Sequence, residues 1–130
     1  MILGFDPGQD KCGIAVMGLE RSLYYHQVVP AQKAIATIVA LRQQFPISLI
    51  VMGDQTGAKR WREKIMQELA PISIVMVDER YTSLEARDRY WQMYPPTGLS
   101  RIIPQGMRQP PRPVDDIVAI LLIEKYLSNS

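Results

Sequence analysis

The sequence predicts an α/β protein with a mixed sheet, in which an antiparallel three-strand meander is joined by two parallel strands and helices cover both faces. Three observations support this fold class. Three strand-like segments follow one another with short connections, the hydrophobic period then changes to that of helices, and the later strands are continuous apolar runs. Helices between such strands form crossover connections in a parallel sheet.

The first half of the chain predicts the meander and one helix. The three strands are predicted over residues 2–6, 12–17 and 21–29. The third of these is rich in aromatic and β-branched residues, which favour strands. Apolar residues then recur at helical spacing from Ala34 until Pro46 stops the pattern, which predicts a helix over 34–45.

The second half of the chain predicts two parallel strands, each followed by a helix. The elements are predicted as a strand over 48–53, a helix over 58–69, a strand over 72–77 and a helix over 82–94. Thr82 and Glu85 have the spacing of a capping box. In this motif the threonine side chain caps the helix, and the glutamate side chain accepts a hydrogen bond from the backbone amide of the threonine. We therefore expect the third helix to begin at Thr82.

Residues 95–113 break this pattern before the final helix. The stretch holds six prolines and two glycines and has no acidic residue, which predicts a flexible loop without regular structure. Pro113 then opens a last helix whose first turn is acidic and whose body, residues 117–122, is apolar. We find no internal repeat and expect a single domain over residues 1–130.

Composition excludes several classes of protein. A hydrophobic fraction of 47% with 22% charged residues is typical of a globular domain rather than a disordered chain. The single cysteine, Cys12, cannot form an internal disulfide, and Asp6 interrupts any signal-peptide pattern at the N-terminus. No apolar run is long enough to span a bilayer. We therefore expect a cytoplasmic protein with no membrane partner.

Acidic residues stand at the ends of three predicted strands and in the first turn of the last helix. They are Asp6, Asp54, Asp78, Glu79, Asp115 and Asp116. If the fourth strand lies parallel beside the first, the strand-end acids meet at one edge of the sheet, and the last helix adds its own. Oxygen ligands select Mg²⁺ or Mn²⁺, and a pair of such ions cleaves phosphodiesters. The acids therefore indicate metal-dependent phosphoryl chemistry.

Three motifs together resemble one known family. They are Phe5-Asp6-Pro7-Gly8 with Gly13-Ile14-Ala15-Val16, then Val77-Asp78-Glu79-Arg80-Tyr81-Thr82-Ser83-Leu84-Glu85-Ala86, and finally Val114-Asp115-Asp116-Ile117-Val118-Ala119. Their order and spacing resemble the YqgF proteins, also called RuvX, Holliday junction resolvases or pre-16S rRNA nucleases, over nearly the whole chain. The resemblance implies an RNase H-like fold, which agrees with the element order predicted above.

The resemblance also implies roles for individual residues. Asp6, Glu79 and Asp115 match the catalytic acids of the family and would hold Mg²⁺ or Mn²⁺, with Asp54 and Asp116 as secondary candidates. The sequence departs from the family at residues 53–57, where a Gly-Leu-Pro type of turn is usual, and at residues 95–113, where a short Lys-rich lead is usual. The first departure supplies the extra acid Asp54, and the second leaves the substrate preference open.

Basic residues near these motifs are candidates for phosphate contacts, which set affinity rather than sequence choice. The candidates are Lys11, Lys59, Arg60, Arg80, Arg101, Arg108 and Arg112.

Several of these charged motifs also have a structural alternative. Arg80 can form a local salt bridge with Asp78, acids in the first turn of a helix offset its dipole, and a basic helix start is often only a solvated face.

The function predicted from the sequence is a nuclease that hydrolyses phosphodiester bonds in structured nucleic acid with a divalent metal. An rRNA precursor and a branched DNA junction are both compatible substrates, with RNA processing and ribosome biogenesis slightly favoured, since junction resolution needs a symmetric homodimer. Two alternatives remain at this stage. One is a nucleic-acid-binding module without catalysis, and the other is a nucleotide-binding domain of the actin and sugar-kinase type.

Overall fold

One five-stranded sheet organises the molecule, as seen in a computed structural model that describes residues 1–129; residue 130, the last of the predicted domain, lies outside the described part. The strands are β1 (Ile2–Asp6), β2 (Lys11–Met17), β3 (Leu23–Pro30), β4 (Leu49–Gly53) and β5 (Ser73–Val77). Their order across the sheet is β3-β2-β1-β4-β5. The two outer pairs therefore flank β1 at the centre of the sheet.

The pairing of the strands confirms the predicted topology. β1, β2 and β3 form an antiparallel meander, while β4 is parallel to β1 and β5 is parallel to β4. Ile2 of β1 lies opposite Leu49 of β4, and Phe5 lies opposite Met52. The carboxyl ends of β1, β4 and β5 consequently meet at one edge of the sheet, which we call the carboxyl edge.

Four α-helices and three short 3-10 helices complete the fold. The α-helices are α1 (Ala34–Gln44), α2 (Ala58–Leu69), α3 (Thr82–Met93) and α4 (Asp115–Asn129), and the 3-10 helices are Ala31–Lys33, Gly98–Ile102 and Gln105–Met107. No helix within residues 1–129 combines the length and the apolar character that a membrane crossing requires.

The helices form a layer on each face of the sheet. Because side chains alternate along β1, Leu3 and Phe5 pack on the face covered by α1 and α2, whereas Ile2 packs on the face of α3 and α4. Residues 117–123 of α4 are all buried, since this helix contacts β1, β2 and α3. A helix that is apolar all round is expected in such a position.

The predicted capping box at the start of α3 is wrong. Tyr81 precedes the helix with φ of 66°, and no side chain caps the free amide groups. Thr82 is buried, and its hydroxyl donates a hydrogen bond to the carbonyl of Glu79. The hydroxyl is therefore engaged by the turn that carries Glu79 and is not available to the helix.

Other elements also differ from the prediction. β3 begins at Leu23 because Arg21 has φ of 70° and belongs to a tight turn. α4 begins at Asp115, since the carbonyl of Val114 accepts its first amide hydrogen bonds. The segment 95–113 contains two 3-10 helices where its prolines predicted no regular structure. Neither 3-10 helix contains a proline, so no missing backbone amide interrupts either of them.

Candidate active site at the carboxyl edge

Asp6 is the last residue of β1 and the centre of the candidate site. It follows Phe5, so its side chain projects to the opposite face of the sheet, toward α4. Burial, together with the nearby carboxylates of Glu79 and Asp115, raises the pKa of Asp6 to about 8. In its protonated form Asp6 can donate a hydrogen bond to either neighbour.

Glu79 reaches Asp6 from the turn after β5, across the end of β4. Its side chain is only 5% exposed. Gly53, the last residue of β4, makes this reach possible, because a Cβ atom there would overlap the Glu79 carboxyl group. Burial and the charges of Asp54 and Asp78 raise the pKa of Glu79 above its ordinary value, although a hydrogen bond with Asp6 opposes this rise.

Asp115 reaches Asp6 from the other side, at the first turn of α4. Gly13 of β2 lies directly opposite Asp6 in the sheet, and a Cβ atom at Gly13 would overlap the backbone of Asp115. The missing side chain therefore lets the start of α4 lie against β2. Burial raises the pKa of Asp115, while the positive charge of Lys11 opposes the rise.

Two carboxyl oxygens at this site are buried without a hydrogen-bond partner within the described residues, Glu79 Oε2 and Asp115 Oδ2. Unpaired buried oxygens are unfavourable unless a proton or a cation compensates them. The donor set consists only of carboxyl oxygens, which fits a hard divalent cation. No three acidic, histidine or cysteine side chains in residues 1–129 already have the arrangement of a metal site, so a cation would require the side chains to adjust.

Asp54 supports the site from its rim. This exposed residue follows β4, and its carboxylate accepts a hydrogen bond of 3.4 Å from the backbone amide of Glu79. Within residues 1–129 no hydrogen bond connects Asp54 to Asp6. Its observed contact is with the backbone that carries Glu79, in contrast to the direct approach of Glu79 and Asp115 to Asp6.

Asp116, the other secondary candidate for a metal ligand, makes its hydrogen bonds outside the cluster. The side chain is buried, and its two oxygens bind Arg112 Nη1 at 2.9 Å and His26 Nδ1 at 2.6 Å. Burial raises the pKa of Asp116, but the hydrogen bonds from Arg112 and His26 outweigh this effect and leave the pKa below its ordinary value. Adjacent helix residues point about 100° apart, which separates Asp116 from Asp115.

The seven basic candidates differ in their contacts with the rest of the protein. Arg112 is paired with buried Asp116, and Arg80 forms the local salt bridge with Asp78 at 2.8 Å that was its structural alternative. Arg108 lies over the ring of Trp91, with its guanidinium carbon 5.8 Å from the ring centroid. The remaining candidates, Lys11, Lys59, Arg60 and Arg101, are exposed.

Gly13 and Gly53 also shape the candidate site, although the motifs did not predict this role. On the two sides of Asp6, Gly13 leaves space for the backbone of α4 and Gly53 leaves space for the Glu79 side chain. A glycine inside a strand often marks a close approach by another group, and this pattern was available in the sequence. The identity of the approaching group depends on the pairing register, which the pattern does not give.

Comparisons with known proteins support the resemblance stated from the motifs. A protein of Psychrobacter sp. (strain PRwf-1) named "Putative pre-16S rRNA nuclease" is 32% identical over 82 residues, covering 63% of this chain and 40% of that protein. A protein of the same name from Coxiella burnetii (strain RSA 331 / Henzerling II) is 25% identical, covering 98% of this chain and 92% of the relative. No family model matches the chain.

The fold is that of a solved RuvC structure from Thermus thermophilus. The two superpose with a TM-score of 0.51 over 93% of this chain and 88% of the other, at 12% sequence identity. A similarity at this identity establishes the fold alone. The predicted mixed sheet of the RNase H-like type is therefore confirmed.

Proposed function

Because the chain is similar to YqgF-type proteins along nearly its whole length and has the fold of RuvC, we propose that it is a nuclease hydrolysing phosphodiester bonds in structured nucleic acid. The names of the relatives support this reaction class. The observation that carries the proposal is the approach of three carboxyl groups, from β1, from the turn after β5 and from α4, at one edge of the sheet.

Asp6, Glu79 and Asp115 are the proposed ligands of Mg²⁺ or Mn²⁺ and the proposed catalytic residues. When bound, such a cation supplies Lewis-acid stabilisation and an activated water to phosphodiester hydrolysis. Asp6 must release its proton to act as a ligand, since burial among acids keeps it protonated up to about pH 8. We assign Asp54 the role of holding the Glu79 turn and assign Asp116 no contact with the metal.

An rRNA precursor is the substrate we favour, because both curated relatives described above are named pre-16S rRNA nucleases. Similarity to RuvC does not extend the proposal to Holliday junctions, since the shared fold alone does not specify a substrate. The proposal includes a cytoplasmic location. A homodimer is required only if the substrate is a junction.

A cleavage assay on a pre-16S rRNA fragment and on a four-way DNA junction, each with Mn²⁺, tests this proposal. We expect cleavage by the wild type and a loss of at least about 100-fold for Asp6→Asn, Glu79→Gln and Asp115→Asn. Asp10→Asn is the matched control, because Asp10 is an exposed acid in the turn between β1 and β2. Full activity in Asp6→Asn would contradict the metal-site assignment.

The same assay separates the proposed nuclease from the non-catalytic binding module. Binding of either substrate by the wild type, with no cleavage at any Mg²⁺ or Mn²⁺ concentration, would favour the binding module. Cleavage of the RNA but not of the junction would support rRNA processing. Cleavage of the junction alone, together with a dimer in solution, would support junction resolution instead.

A further inference from the structure

A cleft of about 380 Å³ lies beside the candidate site, between the turn after β1 and the start of α2. Gly8 and Gln9 form one wall, and the beginning of α2 forms the other. Arg60, Trp61 and Lys64 line this second wall and belong to the first two turns of α2. The cleft is thus at the carboxyl edge, two residues beyond Asp6 in the chain.

The cleft is positively charged. Arg60 and Lys64 are exposed, and among the described residues no acid lines the cleft with them. Within residues 1–129 neither side chain forms an ion pair, whereas Arg80, Arg89 and Arg112 each pair with an acid. Two unpaired cations in a concave site attract anions, and the positive end of the α2 dipole adds to this attraction.

Trp61 packs the start of α2, which forms one wall of the cleft, against the end of β1. Its ring packs edge-on against Phe5, with the centroids 5.3 Å apart, and Phe5 directly precedes Asp6. Lys64 Nζ lies 5.0 Å from the centroid of the Trp61 ring. The position of Lys64 is therefore coupled through Trp61 to the strand that carries the central carboxylate, and Arg60 directly precedes Trp61 in α2.

The acids and the cleft lie on opposite sides of the same edge. Asp6 projects toward α4, while Phe5 and α2 occupy the other face of the sheet. A nucleic-acid strand with its scissile phosphate at Asp6 can therefore cross the Pro7–Gly8 turn and place later phosphates against α2. We propose that this cleft binds backbone phosphates of the cleaved strand, next to the scissile one, through Arg60 and Lys64. The inference rests on the proposed nuclease function.

The test measures nucleic-acid binding without cleavage. Fluorescence anisotropy in EDTA would follow a labelled RNA hairpin with single-stranded tails, and a DNA of the same sequence, across a series of salt concentrations. The variants are Arg60→Gln, Lys64→Gln and the double variant. Arg62→Gln is the matched control, because Arg62 is exposed on the same helix but does not line the cleft.

We expect each single variant to weaken binding several-fold and the double variant by roughly tenfold or more. Loss of two phosphate contacts should also reduce the slope of log K against log salt by about 1.4 to 1.8. Arg62→Gln should change neither quantity. The RNA and DNA arms should respond alike if the contacts are to phosphates alone, and a loss confined to RNA would indicate contacts to the 2′-hydroxyl as well.

Two negative results have different meanings. Wild-type binding with unchanged affinity and slope in the double variant would overturn the assignment of the cleft and leave the nuclease proposal intact. Failure of the wild type to bind either probe would contradict the proposed function itself. Circular dichroism spectra and melting temperatures equal to those of the wild type would show that the exposed substitutions do not alter the fold.

Discussion

At the residue scale, the glycines beside Asp6 matter as much as the acids. Gly53 has no side chain where the Glu79 carboxyl group lies, and Gly13 has none where the backbone of Asp115 lies. Each glycine thus leaves room for one group to approach the central carboxylate. The acidic cluster depends on these two absent side chains as well as on the three acids.

Gly53→Ala should separate the geometry of the site from the stability of the fold. The added methyl group would displace the Glu79 carboxyl group, and a displacement of about 1 Å in a catalytic group can lower the rate by roughly 100-fold. We expect a folded protein with cleavage reduced to this extent in the Mn²⁺ assay. Gly106→Ala is the control, because a Cβ atom there would meet open space. Equal activity in the two variants would contradict this role of Gly53.

Tyr81 holds a strained backbone at the edge of the site. Its φ of 66° lies in the left-handed region that favours glycine, and its side chain is 76% exposed. Tyr81→Gly should therefore raise the free energy of unfolding by about 1 kcal/mol relative to Tyr81→Ala, which keeps the strain. Urea denaturation of the two variants measures this difference. No difference between them would mean that the residue is not strained in solution.

At the element scale, one network ties the start of α4 to its surroundings. Asp116 of α4 binds His26 of β3 and Arg112 of the preceding segment, and Arg112 also lies over the rings of Tyr90 and Tyr94 at 5.4 and 5.7 Å. The network thereby connects β3, α3 and the proline-rich segment to the turn that presents Asp115. Asp116 supports the site as a structural residue.

Asp116→Asn tests the network through its pH dependence. The folded pKa lies below the unfolded value of 3.8, so the carboxylate contributes stability that is present above about pH 4 and is lost as pH falls through the folded pKa. Removing one partner of a buried charged pair costs about 3 kcal/mol, so we expect a loss of this order at pH 7. Urea denaturation of wild type and variant should show this difference shrinking toward pH 3. A difference independent of pH would contradict the assignment.

Hydrophobic period, strand order and the starts of α1, α2 and α3 were predictable from the sequence, while side-chain partners were not. The apolar runs of β4 and β5 and the helical spacing of α1 and α2 each identify an element, because a period of two or 3.6 places apolar residues on a buried face. Thr82 fitted a capping box by spacing, but its hydroxyl binds the Glu79 carbonyl. Asp115 and Asp116 are adjacent acids in the first turn of α4, and the direction in which the helix presents each side chain decides its partners.

At the scale of the whole molecule, the electrostatics of the candidate site oppose the stability of the folded state. Three buried carboxyl groups approach one another, and only Lys11 supplies an opposing charge among the groups that shift their pKa values. Such sites are usually maintained by the rest of the fold. Here the surrounding support is the apolar body of α4, which is buried throughout residues 117–123. A helix with a fully buried body therefore carries one acid of this electrostatically unfavourable cluster.

Metal binding should offset the loss of stability caused by the three carboxyl groups, and Asp6→Asn should reveal that loss in the metal-free protein. The folded pKa of Asp6, about 8, exceeds its unfolded value of 3.8, so the metal-free folded state binds an extra proton and becomes less stable as pH rises between these values. Without a divalent cation, Asp6→Asn should therefore melt at a higher temperature than the wild type at pH 8. With Mg²⁺ or Mn²⁺ the wild type should gain stability, because a ligand that binds only the folded state raises its melting temperature. This gain should be larger at pH 8 than at pH 6, since the Asp6 proton competes with the cation.

Thermal denaturation with and without Mn²⁺ at both pH values measures these effects. Asp10→Asn provides the control, because it removes the same charge from an exposed position. That variant should keep the cation-dependent gain of the wild type, whereas Asp6→Asn should lose most of it. If Asp6→Asn gained as much stability from Mn²⁺ as the wild type, the cation would bind elsewhere. The three carboxyl groups at the carboxyl edge would then form a cluster that shares protons and holds no metal.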